Sequence, residues 1–170
     1  MASKAVYSLT SLKIGAPGAN GAMGTTLANI SKIAEGTVTF DFPAPDITNI
    51  TPEEDDLPFV TLKTEQPKTI TWESLDMSLD ALTVAFGGTV ATNKLTPGVS
   101  FEIGEKSLEI VTRALQGSTT TFAFPRVSIY ATFTGSLQKT DVLRLQFTAT
   151  VLRPFDGSGV ALPYFTVTQA

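Results

Sequence analysis

The sequence predicts a mainly β domain: a β-sandwich or small barrel of roughly eight strands with one short α-helix packed on it. Three observations carry that expectation. Threonine fills 26 of the 170 positions and phenylalanine 11, a composition suited to pleated, half-buried surfaces. Long stretches toward the C-terminus alternate apolar with hydroxyl side chains, the period of a strand with one face in a core. Only the stretch from Glu73 to Val90, ESLDMSLDALTVAFGGTV, has helical spacing.

In chain order, KAVYSLTSLKI alternates loosely and enters GAPGANGAMG, where Gly15, Gly18, Gly21 and Gly24 recur at every third residue. That stretch lacks the lysine and the strand-to-helix setting of a phosphate-cradling loop, so a mobile loop is expected. GTVTFDF, Gly36 to Phe42, reads as a strand. PAPDITNITPEEDDLP follows, with four prolines and the acidic run Glu53, Glu54, Asp55 and Asp56. Its prolines argue against a central strand, and its carboxylates lack the alternation and the bend glycine of a calcium loop. The expectation is a solvated, extended acidic arm that contacts a neighbour. FVTLKTE and KTITWES then read as two strands separated by Gln66 and Pro67.

The helix has recognisable ends. Ser78 suits the N-cap, since its hydroxyl can accept a bond from a first-turn amide, and Gly87 and Gly88 suit the C-terminal exit. Leu75, Leu79, Leu82 and Phe86 are expected to share one buried face. A helix of about three turns draws most of its stability from packing, so Leu79, Leu82 and Phe86 are expected to brace the sheet. Trp72, just before the helix, is expected in the core.

Beyond the helix, KSLEIVTRA sets Leu108 and Ile110 against Glu109 and Arg113. RVSIYATFTG sets Val127, Ile129, Ala131 and Phe133 against Ser128, Tyr130, Thr132 and Thr134. DVLRLQFTATVLRP sets Leu143, Leu145, Phe147, Ala149 and Val151 against Arg144, Gln146, Thr148 and Thr150. The last two, joined around Gly135, are expected to pair as an antiparallel hairpin. A turn at FDGSG leads to a final strand, PYFTVTQ. One domain over residues 1–170 accommodates all of this.

Composition bounds the chemistry. The chain has no cysteine and no histidine, which removes disulfides, thiolate metal sites, and the commonest general base and metal ligand. No catalytic residue, cofactor or metal is therefore expected. Charged residues make up 16% and apolar residues 42%. That charge content lies below the roughly one quarter usual for soluble domains, as if other chains cover part of the surface. Net charge is −4, with 7 basic and 14 acidic residues through Ile110 and 5 basic and 2 acidic beyond it. No apolar run approaches the roughly 20 residues of a membrane span, and MASKAVYSLT has no hydrophobic signal core.

The order of a proline-rich acidic loop, ITWESLDMSLDALTVAFGGTV, two long paired strands, and LRPFDGSGVALPYFTVTQ resembles the tail tube proteins of long-tailed bacteriophages. The resemblance implies a fold shared with the tube protein of type VI secretion systems. It implies hexameric rings of the chain stacked into a tube, located in the virion tail after synthesis in the host cytoplasm. A tape-measure protein and tail-end or connector proteins are the further partners implied. DNA passes through without specific binding. The absence of a basic run agrees with a wall that does not retain phosphate. Two alternatives were weighed against it. A carbohydrate-binding or adhesive β-sandwich is poorly supplied with stacking aromatics, having one tryptophan and three tyrosines. A glycosidase-like carboxylate pair, Glu65 with Glu73 or Asp76 with Asp80, reads more simply as strand-end and helix-start charge.

Overall fold

The computed structural model describes residues 6–54, 56–97, 104–114, 117–139 and 141–170. In chain order the elements are β1 (Leu9–Gly15), β2 (Leu27–Asn29), β3 (Thr39–Asp41), β4 (Asp46–Ile50), β5 (Val60–Thr64), β6 (Thr69–Ser74), α1 (Leu79–Phe86), β7 (Thr89–Ala91), β8 (Lys94–Thr96), β9 (Glu105–Thr112), β10 (Thr120–Thr134), β11 (Arg144–Val151) and β12 (Thr166–Gln169). Eight strands form one antiparallel sheet in the order β2-β1-β9-β10-β11-β6-β3, with β12 also on β10. The expected mainly β architecture with a single short helix is what the chain adopts.

The fifteen-residue β10 is the spine of this sheet. Along one edge it pairs with β9. Along the other, Thr120–Ala123 pair with β12, and Val127–Thr134 pair with β11 over the predicted hairpin. The strand begins six residues earlier than the alternation from Arg126 indicated, because Pro125 sits at a register shift between Phe124 and Val127. Proline cannot donate to a ladder and is tolerated at such a bulge.

The sheet curls, and a strap brings its two ends together. The segment after β2 bonds to β1 through Ile30 N–H to the Leu12 carbonyl (2.8 Å), and to β6 through Ala34 N–H to the Glu73 carbonyl (2.8 Å). Leu75 N–H donates back to the Lys32 carbonyl (2.8 Å). The curl also carries Phe40 of β3 to Phe122 and Phe124 of β10, with ring centroids 5.4 and 6.4 Å apart.

Alternation on every strand of the curl then points to one shared interior. Leu12, Ile70, Leu108, Phe124, Leu145 and Ala149 are fully buried there. Trp72 is buried as expected, stacked on Phe147 of the adjacent strand at 5.2 Å and 7°. Four polar residues are buried among the described residues, and each has a partner in the chain: Ser74 donates to the Ser31 carbonyl, Ser107 to the Pro125 carbonyl, and Thr112 to the Thr120 carbonyl, while Thr120 N–H donates to the Thr112 hydroxyl.

Three expectations need correction. The helix is eight residues, about two turns, and its buried residue is Ala85, with Ala81, Leu82 and Phe86 packed against the core. Leu75 lies outside it and is exposed, because its backbone is held by the strap as an extension of β6. Leu79 is half-buried at the first turn and does not join the core cluster. The small Ala81 and Ala85 share the contact face with Leu82 and Phe86.

The glycine loop is packed rather than loose. Gly24 is buried, and its N–H donates to the Ser107 hydroxyl (2.9 Å). A methyl group at Gly24 would overlap the Ala16 carbonyl, and at Gly157 one would press on the Asn20 side chain. Glycine here permits close approach of two backbones. The proline-rich segment, lastly, contains a strand, β4, which pairs with β5 as a separate two-stranded ribbon.

Leu82→Ala is expected to cost the subunit about 1–3 kcal/mol in chemical denaturation, below the full range for buried leucines because Leu82 is only partly covered. Val84→Ala, on the exposed side of the helix, is expected to change stability by less than about 0.5 kcal/mol.

Candidate assembly surfaces

The β4–β5 ribbon projects as an arm. All ten of its strand residues are exposed, and its strands pair with each other and with no other strand among the described residues. Period-two alternation sets Ile47, Asn49, Thr61 and Lys63 on one face, where Thr61 donates to Asn49 (3.0 Å), and on the other Asp46 and Thr64 at the base, with Thr48, Ile50, Val60 and Leu62 making an apolar end toward the tip. Ile50 stands opposite Val60 and Thr48 opposite Leu62. Phe59, 81% exposed, follows at the tip, where its N–H donates to the Ile50 carbonyl (2.9 Å). Leu57 is 71% exposed. A two-stranded hairpin is at best marginally stable alone in water, and this one leaves its apolar side uncovered by its own subunit. The acidic run is its tip: Glu53, Glu54 and Asp56 are exposed turn and bend residues, and Asp55 lies outside the described residues.

A second surface is the outer face of β10, β11, β6 and β3. Strand register places side chains in rows: Ser128, Thr150 and Thr69; Tyr130, Thr148, Thr71 and Thr39; Thr132, Gln146 and Glu73. The Thr39 and Thr71 hydroxyls bond to each other (2.5 Å). Three cations on the sheet's outer face are matched by carboxylates. Lys13 meets Glu109 (2.7 Å), Arg126 meets Glu105 (2.5 Å), and Arg144 meets Glu73 (3.2 Å) and Asp141 (3.3 Å). Amide bonds from Val142 and Ser136 hold the Asp141 carboxyl below the usual carboxylate range, so it stays ionised beside Arg144.

The helix lies over the inner side of the sheet. Phe86 meets Phe133 of β10 with ring centroids 4.9 Å apart, and Leu82 packs on the core. Leu82 and Phe86 therefore brace the sheet, as expected, while Leu79 contributes less. The helix start is tied down by Asp76, which accepts from the Ser31 hydroxyl (2.5 Å) and Ser78 N–H (2.9 Å), while the Ser78 hydroxyl accepts from Ala81 N–H (3.3 Å). Bonding from Ser31, then from Ser78, lowers the Asp76 pKa. The carboxylates weighed as catalytic pairs have individual partners: Glu65 bonds Lys68 and Glu73 bonds Arg144.

A cleft of about 880 Å³ opens between β1 and the strap, its lining divided between apolar residues such as Leu9, Ile30, Ile33 and Phe40 and hydroxyl or amide residues such as Ser11 and Asn29, with Lys32 and Glu35 as its charged residues. No group of three or more potential metal ligands occurs among the described residues, and no described helix is long and apolar enough to cross a membrane. No family model matches the chain, and no curated protein is detectably similar to it.

Asp76 makes stability depend on acid. Because its folded pKa is depressed, its contribution is present above the unfolded carboxylate pKa of about 4 and is lost as pH falls through the folded value. Asp76→Asn is expected to melt lower than the wild type at pH 7, with the difference vanishing in thermal scans at progressively lower pH.

Proposed function

We propose that the chain is the structural subunit of a bacteriophage tail tube, which assembles with copies of itself as stacked hexameric rings around a lumen that conducts DNA. The observation that carries this reading is the arm. A two-stranded ribbon that leaves Ile50, Leu62 and Phe59 half or more exposed in its own subunit gains stability where another surface covers it. In a homo-assembly that surface belongs to the next copy.

Two further features support the same reading. The wide hydroxyl face on β10, β11, β6 and β3 is wet without being basic, which suits a wall past which a polyanion slides. Closing sheets from several subunits into a ring also removes the edges that a lone curled sheet exposes at β2 and β3. The resemblance supplies the ring number and the remaining partners, a tape-measure protein within the lumen and tail-end or connector proteins at its ends. The subunit's role is passive, and no bond is made or broken.

Negative-stain imaging of purified protein over a range of concentrations tests the reading: rings or tubes are expected, and a strictly monomeric mass at every concentration and salt contradicts it. The double substitution Phe59→Asp with Leu62→Asp is expected to abolish assembly while shifting the subunit's own stability by less than about 0.5 kcal/mol, as exposed positions do.

A further inference from the structure

The outer face of the main sheet contains basic residues, and three of them, Lys13, Arg126 and Arg144, are paired with carboxylates. Arg144 is the most fully held. Its terminal nitrogens Nη1 and Nη2, the atoms able to reach a phosphate, face Glu73 Oε2 on β6 and Asp141 Oδ1 at the hairpin turn. Its Nε is buried and without an acceptor among the described residues. Two carboxylates thus face the guanidinium and balance its charge, each engaging one of its terminal nitrogens. Asp141 is itself anchored, accepting from Val142 N–H (2.8 Å) and from the Ser136 amide and hydroxyl (each 3.3 Å). Arg126 is paired with a single carboxylate, Glu105, through its Nε.

Exposed ion pairs contribute little to stability, so stability alone is a weak reason for this matching. Its effect on ligands is larger. An arginine whose fork is free binds phosphate bidentately, and each phosphate neutralised steepens the salt dependence of DNA binding by about one. We infer that Glu73 and Asp141 form a carboxylate clamp that weakens the engagement of DNA phosphates by Arg144, lowering the affinity of this part of the hydroxyl face for nucleic acid although it carries arginine. The inference rests on the reading of that face as the wall of a DNA-conducting lumen, and deepens it by assigning Glu73 a role in discrimination. Glu73 acts through Arg144 and is a positioning residue.

The test is binding of a short labelled DNA duplex, followed by fluorescence anisotropy from low to moderate salt. Four proteins are compared: the wild type, Glu73→Gln, Glu73→Gln with Arg144→Gln, and Asp41→Asn. Asp41 pairs in register with Thr69 on the same sheet, and no salt bridge joins it to a cation among the described residues, so its variant controls for net charge alone. Glu73→Gln is expected to bind several-fold more tightly than Asp41→Asn at low salt, with a salt slope steeper by about one for each subunit engaged. Adding Arg144→Gln is expected to return binding to the Asp41→Asn level. Equal binding by Glu73→Gln and Asp41→Asn overturns the clamp, as does binding that survives loss of Arg144 or no measurable binding by Glu73→Gln at low salt. Glu105→Gln, which frees Arg126, carries the same expectation and replaces Glu73→Gln if that variant does not fold. Ring formation is read separately by imaging. Arginine-dependent binding by a protein that never assembles sinks the tube and keeps the clamp, and assembly without it does the reverse.

Discussion

Most of this structure depends on β10 remaining a single ladder over fifteen residues while three other strands bond to it. No shorter strand could hold β12 and β11 in succession along one edge and β9 along the other. That continuity makes the sheet curl, and the curl gives Leu12, Ile70, Leu108 and Phe147 a common interior. The bulge at Pro125 is a part of this, since the Ser107 hydroxyl that accepts from Gly24 donates to the Pro125 carbonyl. One buried serine thereby joins the glycine loop, β9 and the bend of the spine.

What the interior does not cover is as informative as what it does. Helix α1 closes the open inner side with two alanines and two larger apolar residues, and the strap ties β1 to β6. The curled sheet is thus provided for within one chain. The β4–β5 arm is not: all ten of its strand residues are exposed, Ile47, Ile50, Val60 and Leu62 among them. Uncovered apolar area of this kind is a common mark of interaction surfaces, whereas the outer sheet face is rich in hydroxyls and pairs Lys13, Arg126 and Arg144 with carboxylates. The proposed tube would use the first as its contact and the second as its wall.

The strands with one buried face were readable from alternation alone. Leu108 and Ile110, and Leu145, Phe147 and Ala149, lie inside as their spacing required. Elements that escaped reading lack such a signal. The β7–β8 hairpin turns at Thr92 and Asn93, both in the left-handed region at φ 51° and 58°, and Thr-Asn is not the Asn-Gly pair that announces such a turn. The start of β10 was hidden because Pro125 reverses the phase of alternation. Glycine for close packing and glycine for mobility look identical in composition, so only the Ser107 contact settles the role of Gly24. The helix was legible in its caps but less so in its buried face, because alanine carries little hydrophobic signal while fitting closest to the sheet. The arm's acidic, proline-rich tip was legible, and its strand pairing was not, because Asp46 to Ile50 shows no burial pattern to read.

Amide hydrogen exchange read by mass spectrometry, on dilute subunit and on concentrated, assembled protein, tests most directly the claim that the arm is completed by another copy while the curled sheet is complete in itself. The account predicts that β10 is protected in both samples, and that amides between Asp46 and Thr64 exchange rapidly in the dilute subunit and become protected on assembly. Slow exchange of the arm in the dilute monomer, or an arm that stays unprotected in assembled protein, would contradict it.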